Sequence, residues 1–237
     1  MRHILTSLVL LVLLFPALAS GGEVTMDDLV KREGIHYKEF TDVPFSGKVT
    51  GRIQGTIKNG EWDGPWVYYW DNGQLRSKGT YRDGKEDGPW VWYHEDGQLL
   101  SKGTYKDGEK DGPWVYYHEH GQLDWKGDFK DGKREGSWVN YYDNGQLDYT
   151  GTYKDGKRDG PWVRYHENGQ LWSEGTYKDG KKDGPWVKYT YWSNGQLQSK
   201  ETYKDGKKDG PWVAYNEDGT VWEKYTGTFK DGVRISD

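Results

Sequence analysis

A tryptophan that returns every 24 residues constrains this chain more than any other feature. The recurring tryptophans are Trp66, Trp90, Trp114, Trp138, Trp162 and Trp186, and then Trp212 after 26 residues. The repeated unit reads approximately DGPWVxYxxNGQLxSKGTYKDGKK. A fixed period of about 20 to 50 residues is typical of open repeat proteins, in which each unit contacts only its neighbours. The sequence therefore predicts seven copies of one small structural unit.

Each unit contains two runs with the composition of β-strands, which in the first copy are residues 66–70 and 75–82. Asn72-Gly73 joins the two runs, and Asp83-Gly84 leads into the next copy. Asn-Gly and Asp-Gly favour the positive φ angles of type I′ hairpin turns. The predicted fold class is all-β: an elongated, single-layer antiparallel meander of stacked β-hairpins.

A two-residue turn also fixes which side chains share a face of the hairpin. The predicted pairs on one face are Trp70 with Leu75, Tyr68 with Ser77, and Trp66 with Gly79. A glycine opposite an indole leaves room for the ring to lie across the backbone. We therefore expect tryptophan over glycine to be the packing unit, repeated about every 9–10 Å along the sheet.

The recurring pieces KGTYKDGKKDGPW and NGQL resemble the MORN-repeat family, in particular its bacterial variant form. We assign residues 45–237 to repeats, with a degenerate copy before the seven regular ones. The resemblance implies a non-enzymatic protein, an association with membrane lipids, and a branch of exported proteins labelled as antitoxins. Two departures are Ser137 in place of proline and Glu201 in place of glycine, so the sixth copy is expected to pack less well.

The N-terminal residues have a different composition. Residues 1–19 combine an apolar run with Ala17 and Ala19, as expected of a secretory signal peptide cleaved after Ala19. Residues 20–44 are predicted to cap the first strand through a short helix at about residues 26–33, because Thr25 and Asp28 fit a helix start and Gly34 a helix stop. The predicted location is the periplasm or the cell exterior.

Several kinds of chemistry have no counterpart in the sequence. The chain contains no cysteine, and its formal charge is −5, so neither a thiolate metal site nor a nucleic-acid partner is expected. No hydrolase, zinc-protease or phosphate-loop motif is present. His94 and His118 lie one repeat apart, about 9–10 Å, which is too far for ligands of one zinc ion. We expect no catalytic residues, no metal and no cofactor.

Positions that the repeat leaves free are the candidates for binding. On the tryptophan side of the sheet these positions are aromatic in the first three copies and polar in the last ones, and aromatic residues are enriched at contact sites. An alternative is drift among residues that favour strands. The candidate binding residues are Trp66, Tyr68, Trp70, Trp90, Trp92, His94, Trp114, Tyr116 and His118.

The predicted function is that of a scaffold or adaptor whose aromatic face binds another protein or an envelope component. One alternative is an immunity or antitoxin-like inhibitor. Another is a module for membrane lipids or cell-wall glycans, because Lys78, Lys102 and Lys126 form a row on the opposite face that could attract anionic lipid headgroups. A solvated face is the competing interpretation of that row. The sequence does not specify an oligomeric state.

Overall fold

The computed structural model describes residues 23–189 and 196–236, which consist almost entirely of short β-strands and turns. Two 3₁₀ turns, Met26–Asp28 and Glu223–Tyr225, accompany the strands. The strands are β1 Leu29–Arg32, β2 Ile35–Lys38, β3 Gly47–Val49, β4 Ile53–Lys58, β5 Glu61–Tyr69, β6 Leu75–Arg82, β7 Lys85–Glu86, β8 Gly88–Tyr93, β9 Leu99–Lys106, β10 Glu109–Lys110, β11 Gly112–Tyr117, β12 Leu123–Lys130, β13 Lys133–Tyr141, β14 Leu147–Lys154, β15 Lys157–Tyr165, β16 Leu171–Lys178, β17 Lys181–Tyr189, β18 Leu197–Lys204, β19 Lys207–Lys208, β20 Gly210–Ala214, β21 Gly227–Lys230 and β22 Val233–Ser236.

From β3 onward the strands form an antiparallel meander, in which each strand pairs with its neighbours along the chain. The two-residue strands β7, β10 and β19 are the beginnings of interrupted strands, since β6 pairs with both β7 and β8. The predicted all-β meander of stacked hairpins is confirmed.

The predicted pairing within each hairpin is correct at its centre and wrong near its turn. Trp66 pairs with Gly79 and Tyr68 with Ser77, as expected. Leu75, however, pairs with Tyr69 and not with Trp70, because the register shifts by one residue between Tyr68 and Tyr69. The same shift recurs in the other described hairpins of this type.

The shift follows from the geometry of the Asn-Gly turn. Gly73 has φ of +83°, whereas Asn72 is not among the residues with positive φ. Gly73 N–H donates to the Trp70 carbonyl, and Trp70 N–H donates to the Gln74 carbonyl. This is a type I turn followed by a glycine bulge rather than the predicted type I′ turn. Asn72 Oδ1 stabilises it by accepting Gln74 N–H at 2.9 Å.

The Asp-Gly turns between copies do adopt the predicted positive φ angles. Asp83 has φ of +48° and Gly84 has φ of +75°. Gly84 N–H also donates to the Trp62 carbonyl of the preceding turn at 2.9 Å, and the equivalent bond recurs at Gly108, Gly132 and Gly156. These bonds tie successive turns together along one edge of the sheet.

The predicted N-terminal helix is wrong. Thr25 N–H and the Thr25 hydroxyl donate to Asp28 Oδ2, so the expected start signal is used, but only for the single 3₁₀ turn Met26–Asp28. Residues 29–38 instead form the hairpin of β1 and β2, and Gly34 with φ of +89° belongs to its turn. His36 N–H donates to the Gly60 carbonyl, so β2 contacts the first repeat and covers its edge.

Each indole packs on the glycine of the strand that precedes it. A Cβ atom added to Gly79 would lie 2.0 Å from the Trp90 ring, and one added to Gly151 would lie 2.0 Å from Trp162. The seven repeat tryptophans are all buried. Tryptophan over glycine is therefore the core unit of the fold.

Two expectations lie outside the described residues. One is the signal peptide at residues 1–19, and the other is the longer hairpin that the insertion at Thr190-Tyr191-Trp192 suggested. In the described part of the chain, no helix has the length and apolar character needed to cross a membrane.

Candidate functional site

We call the side of the sheet that carries the repeat tryptophans the tryptophan face. Three of the nine candidate residues, Trp66, Trp90 and Trp114, are only 0–4% exposed on it. The indole N–H of Trp90 donates to the Thr80 carbonyl at 3.2 Å, and that of Trp114 donates to the Thr104 carbonyl at 3.1 Å. These rings are therefore part of the core and do not offer a surface to a ligand.

The residue four positions before each repeat tryptophan helps to bury the ring. We call it the cover position, and its occupants are Trp62, Glu86, Lys110, Arg134, Arg158, Lys182 and Lys208. In the last five copies a cation lies over the indole, 3.6–4.4 Å from the ring centroid. In the first copy Trp62 stacks on Trp66, with centroids 4.4 Å apart.

A local irregularity of the sheet brings the cover position over the ring. Tyr81 pairs with Glu86 while Lys78 pairs with Val91, so four residues on the second strand face two on the first. Gly88 lies in this widened segment with φ of +97°. The extra residues bend the strand, which brings side chains four apart onto the same ring.

The remaining candidates at the centre of the face are half-exposed rings. Trp92 lies between Trp90 and Trp114, with centroid distances of 5.5 and 5.4 Å. Tyr116 stacks on Trp125 at 5.7 Å, and Trp125 stacks in turn on Trp138 at 5.1 Å. Tyr68, whose hydroxyl donates to the Tyr81 hydroxyl at 3.2 Å, begins the series. The rings form one strip across copies one to three.

The last three candidates lie at the start of each Asn-Gly or Asp-Gly turn. Trp70 Nε1–H donates to the Tyr93 carbonyl of the next copy at 3.2 Å. His118 lies between two carboxylates, 3.8 Å from Asp124 and 3.6 Å from Asp143. His94 occupies the equivalent place in the second copy and is half-buried. These side chains link neighbouring copies.

Glu86 differs from every other occupant of the cover position because it places an acid among aromatic rings. The rings around Trp90 are Tyr81 at 5.1 Å, Tyr68 at 6.2 Å and Tyr105 at 6.3 Å between centroids. Burial raises the pKa of the Glu86 carboxyl above its ordinary value. It also raises the pKa of Tyr105 to about 12, with a smaller contribution from the Glu86 charge.

The later copies give the same face a basic character. A cavity of about 260 Å³ is lined by Arg158, Arg164, Lys182 and Lys188 together with aromatic rings. Two of these cations have carboxylate partners. Arg164 pairs with Asp148 at 3.0 Å, and Lys188 pairs with Glu201 at 3.2 Å.

Glu201 takes the place of the core glycine in the sixth copy and is 3% exposed. Its carboxylate accepts hydrogen bonds from Ser199 at 2.7 Å and Tyr203 at 2.8 Å, in addition to the pair with Lys188. Trp212, which follows this position, is 9% exposed and thus the least buried repeat tryptophan. The looser packing expected there is seen at Trp212, while Glu201 itself is well satisfied.

The opposite side of the sheet, which we call the valine face, carries a groove of about 630 Å³ across copies one to three. Pro65, Val67 and Thr80, with their counterparts in the next copies, form its apolar lining, and Lys78 and Lys102 border it. In the third copy Asp128 replaces the threonine of this position. The groove therefore coincides with the copies that carry the aromatic strip on the other face.

Within residues 23–189 and 196–236, no three His, Asp or Glu side chains are arranged to hold a metal ion. The structure adds three kinds of residue that the sequence analysis did not select: the cover cations, Glu86, and Trp125 at a position that is serine in the first two copies. The four-residue spacing to the tryptophan was visible in the sequence. In a regular strand, however, that spacing separates side chains by about 13 Å.

Two family models match the chain. The MORN repeat variant matches residues 62–83, 86–107, 134–155, 158–179 and 187–205. The MORN repeat matches residues 124–137 and 174–185. No curated protein matches the chain.

Two solved structures share only weak similarity with it. The crystal structure of the GtfA/B complex bound to UDP and GlcNAc has 12% identity and a TM-score of 0.19, over 58% of this chain and 25% of that one. The crystal structure of TcdB2-TccC3-Cdc42 has 14% identity and a TM-score of 0.21, over 71% of this chain and 11% of that one. Scores this low do not establish a common fold. The family models, in contrast, recur in register with the structural hairpins, and the chain belongs to the MORN-repeat family.

Proposed function

We propose that this protein is an exported, non-enzymatic binding protein whose tryptophan face, over copies one to three, receives another protein or an envelope component. MORN repeats are generally non-enzymatic and often bind proteins or membranes. The residues that would make the contact are Tyr68, Trp92, Tyr116 and the newly recognised Trp125.

The observation that carries the proposal is the division of labour on this face. The core requires the buried tryptophans, such as Trp90 and Trp114, and each is held by a hydrogen bond to the backbone. Trp92 lies between them, yet its counterpart in the fourth copy is Asn140, so the fold does not require a ring at this position. Half-exposed aromatic rings in a continuous strip contribute strongly when a partner covers them.

The test compares the double variant W92T/Y116T with N140T, which alters the same register position in the fourth copy. Immobilised mature protein captures a partner from envelope extract, and the affinity of that partner is then measured for each variant. W92T/Y116T should weaken binding by about 1–4 kcal/mol. N140T should leave the affinity unchanged.

Unfolding midpoints of the same variants separate binding from folding. W92T/Y116T should lose less stability than W114T, because Trp114 is buried and Trp92 is not. Unchanged partner affinity in a folded W92T/Y116T variant would show that the ligand binds elsewhere. Lys188 is not a suitable control, because its removal would leave the buried Glu201 carboxylate without its cation.

The groove on the valine face favours a second candidate function, the binding of an amphiphile with an anionic head. Its apolar floor would accept the hydrocarbon part, and Lys78 and Lys102 at its border would attract the charge. Co-sedimentation with anionic vesicles should then fall for K78E/K102E. The control is K85E, which changes the charge of an exposed turn residue outside the groove.

A further inference from the structure

The second copy lacks the cation that the later copies place over their tryptophan. At the cover position, Lys110, Arg134, Arg158, Lys182 and Lys208 each lie over the indole of their own copy. The second copy has Glu86 at this position, in the same pairing with a ring of the preceding strand: Glu86 pairs with Tyr81 as Lys110 pairs with Tyr105. A carboxylate cannot replace a cation over an indole, because the ring face carries negative potential.

The surroundings of Glu86 contain aromatic rings but no compensating charge. Tyr68, Tyr81 and Tyr105 surround Trp90, and Trp92 stacks on it at 5.5 Å. Among the described residues, no Lys, Arg or His forms a salt bridge with Glu86 within 4.0 Å. The nearest cover cation along the sheet, Lys110, lies over Trp114 at 4.0 Å and belongs to the third copy.

We propose that Glu86 and the rings around Trp90 form a binding site for a basic side chain, lysine or arginine, of a protein partner. The cation would lie over Trp90, as the chain's own cations do in the later copies, and would pair with the Glu86 carboxylate. This inference rests on the proposed function, because it assigns a chemistry to the partner of the tryptophan face.

The structure favours a basic side chain over other cations. The later copies show that the space above the indole fits an ammonium or guanidinium group at the end of an aliphatic stem. Such groups have N–H donors that a carboxylate can accept, whereas a quaternary ammonium ion has none. A metal ion would need several oxygen or nitrogen ligands, and Glu86 is the acid of this cluster.

The test uses small probes that carry one cation each. N-acetyl-lysine amide and N-acetyl-arginine amide are titrated into the mature protein, with N-acetyl-norleucine amide as the uncharged probe, and the indole N–H signals of Trp90 and Trp92 are followed by NMR. Both basic amides should shift these signals in a saturable manner, and the norleucine amide should not. E86Q should weaken the binding at least fivefold.

E86K and E109K provide a matched pair of charge reversals. E86K supplies the missing cover cation from within the chain, so it should fold at least as stably as the unaltered protein and lose the response to both amides. Glu109 lies exposed in the next turn, where most other copies have lysine, and E109K should respond like the unaltered protein.

Three results would overturn the inference: no saturable shift, an equal response to the norleucine amide, or binding that survives in E86K. Binding of tetramethylammonium without binding of the two amides would likewise contradict the assignment to a basic side chain. If the amides fail but W92T/Y116T still loses partner affinity, the cation site is wrong and the proposed function stands.

Discussion

At the scale of single residues, the fold depends on glycines that no other residue can replace. Gly151 pairs with Trp138 on one side and with Trp162 on the other, and the Trp162 ring lies on it. A valine there would place its Cβ about where the ring now lies, since an added Cβ would be 2.0 Å from Trp162 Cε3. The same close approach recurs at Gly79, Gly103, Gly127 and Gly175.

We therefore expect Gly151→Val to destabilise the protein by roughly 1–3 kcal/mol, the usual cost of overpacking. The midpoint of chemical unfolding measures the effect. Thr150→Val is the control, because Thr150 lies next in the chain on the valine face and pairs with Val139. Equal midpoints for the two variants would show that the ring does not occupy the space over Gly151.

Glu86 gives a second prediction at this scale, for the pH dependence of stability. Its folded-state pKa is raised by burial above the ordinary value of 4.5. The folded state therefore binds more protons than the unfolded state in the interval between the two values, and stability falls as the pH rises through it. The neighbouring titratable groups, Tyr68, Tyr81 and Tyr105, ionise only at much higher pH.

Replacing Glu86 by glutamine removes this loss. E86Q should be more stable than the unaltered protein at pH 7, and the difference should vanish below pH 4.5, where both states carry a protonated carboxyl. Thermal unfolding of both proteins across this range measures the difference. An advantage that is independent of pH would show that the charge of Glu86 is not its cause.

At the scale of elements, the two kinds of turn differ although both end in glycine. Asp83 has φ of +48° in its type I′ turn, a conformation that costs most residues about 1–2 kcal/mol. Asn72 lacks that strain. Its side chain accepts Gln74 N–H and donates to the Glu95 carbonyl of the next copy, both at 2.9 Å.

Glycine substitution distinguishes the two turns. Asn72→Gly should destabilise the protein by about 1 kcal/mol or more, because it removes two hydrogen bonds. Asp83→Gly should change stability by less than about 0.5 kcal/mol, since glycine adopts positive φ without strain. Unfolding midpoints measure both. Equal tolerance of the two substitutions would instead indicate a type I′ geometry at both sites.

The sequence determined much of the hairpin and less of its irregular parts. The pairs Trp66 with Gly79 and Tyr68 with Ser77 follow from alternation along a strand, so they were predictable. The Tyr69 to Leu75 pair was not, because Asn-Gly fits two turn types and only the side-chain bonds of Asn72 select one. The helix at about residues 26–33 failed for a similar reason: Gly34 serves a hairpin turn as well as a helix stop.

The candidate site was predicted only in part, because burial on a sheet face depends on neighbouring strands. The sequence indicated that rings cluster in the first three copies, but not that Trp66, Trp90 and Trp114 are inaccessible. Nor did it show that residues four apart, such as Glu86 and Trp90, share one place. That contact requires the widened segment at Gly88, which breaks the regular strand geometry.

At the scale of the whole molecule, the arrangement of the copies decides whether a partner can reach the tryptophan face. Seven copies at two strands each make a single-layer sheet about 65–70 Å long. A sheet of this kind exposes the strip of Tyr68, Trp92 and Tyr116 along one side. A compact arrangement of the same hairpins would cover one of the two faces.

Small-angle X-ray scattering of the mature chain distinguishes these arrangements. The elongated sheet predicts a radius of gyration of about 20 Å or more, with a pair-distance distribution that extends to about the length of the sheet. A compact globule of the same length would give about 17 Å. A value near 17 Å with a symmetric distance distribution would contradict an open array and the accessible aromatic face that depends on it.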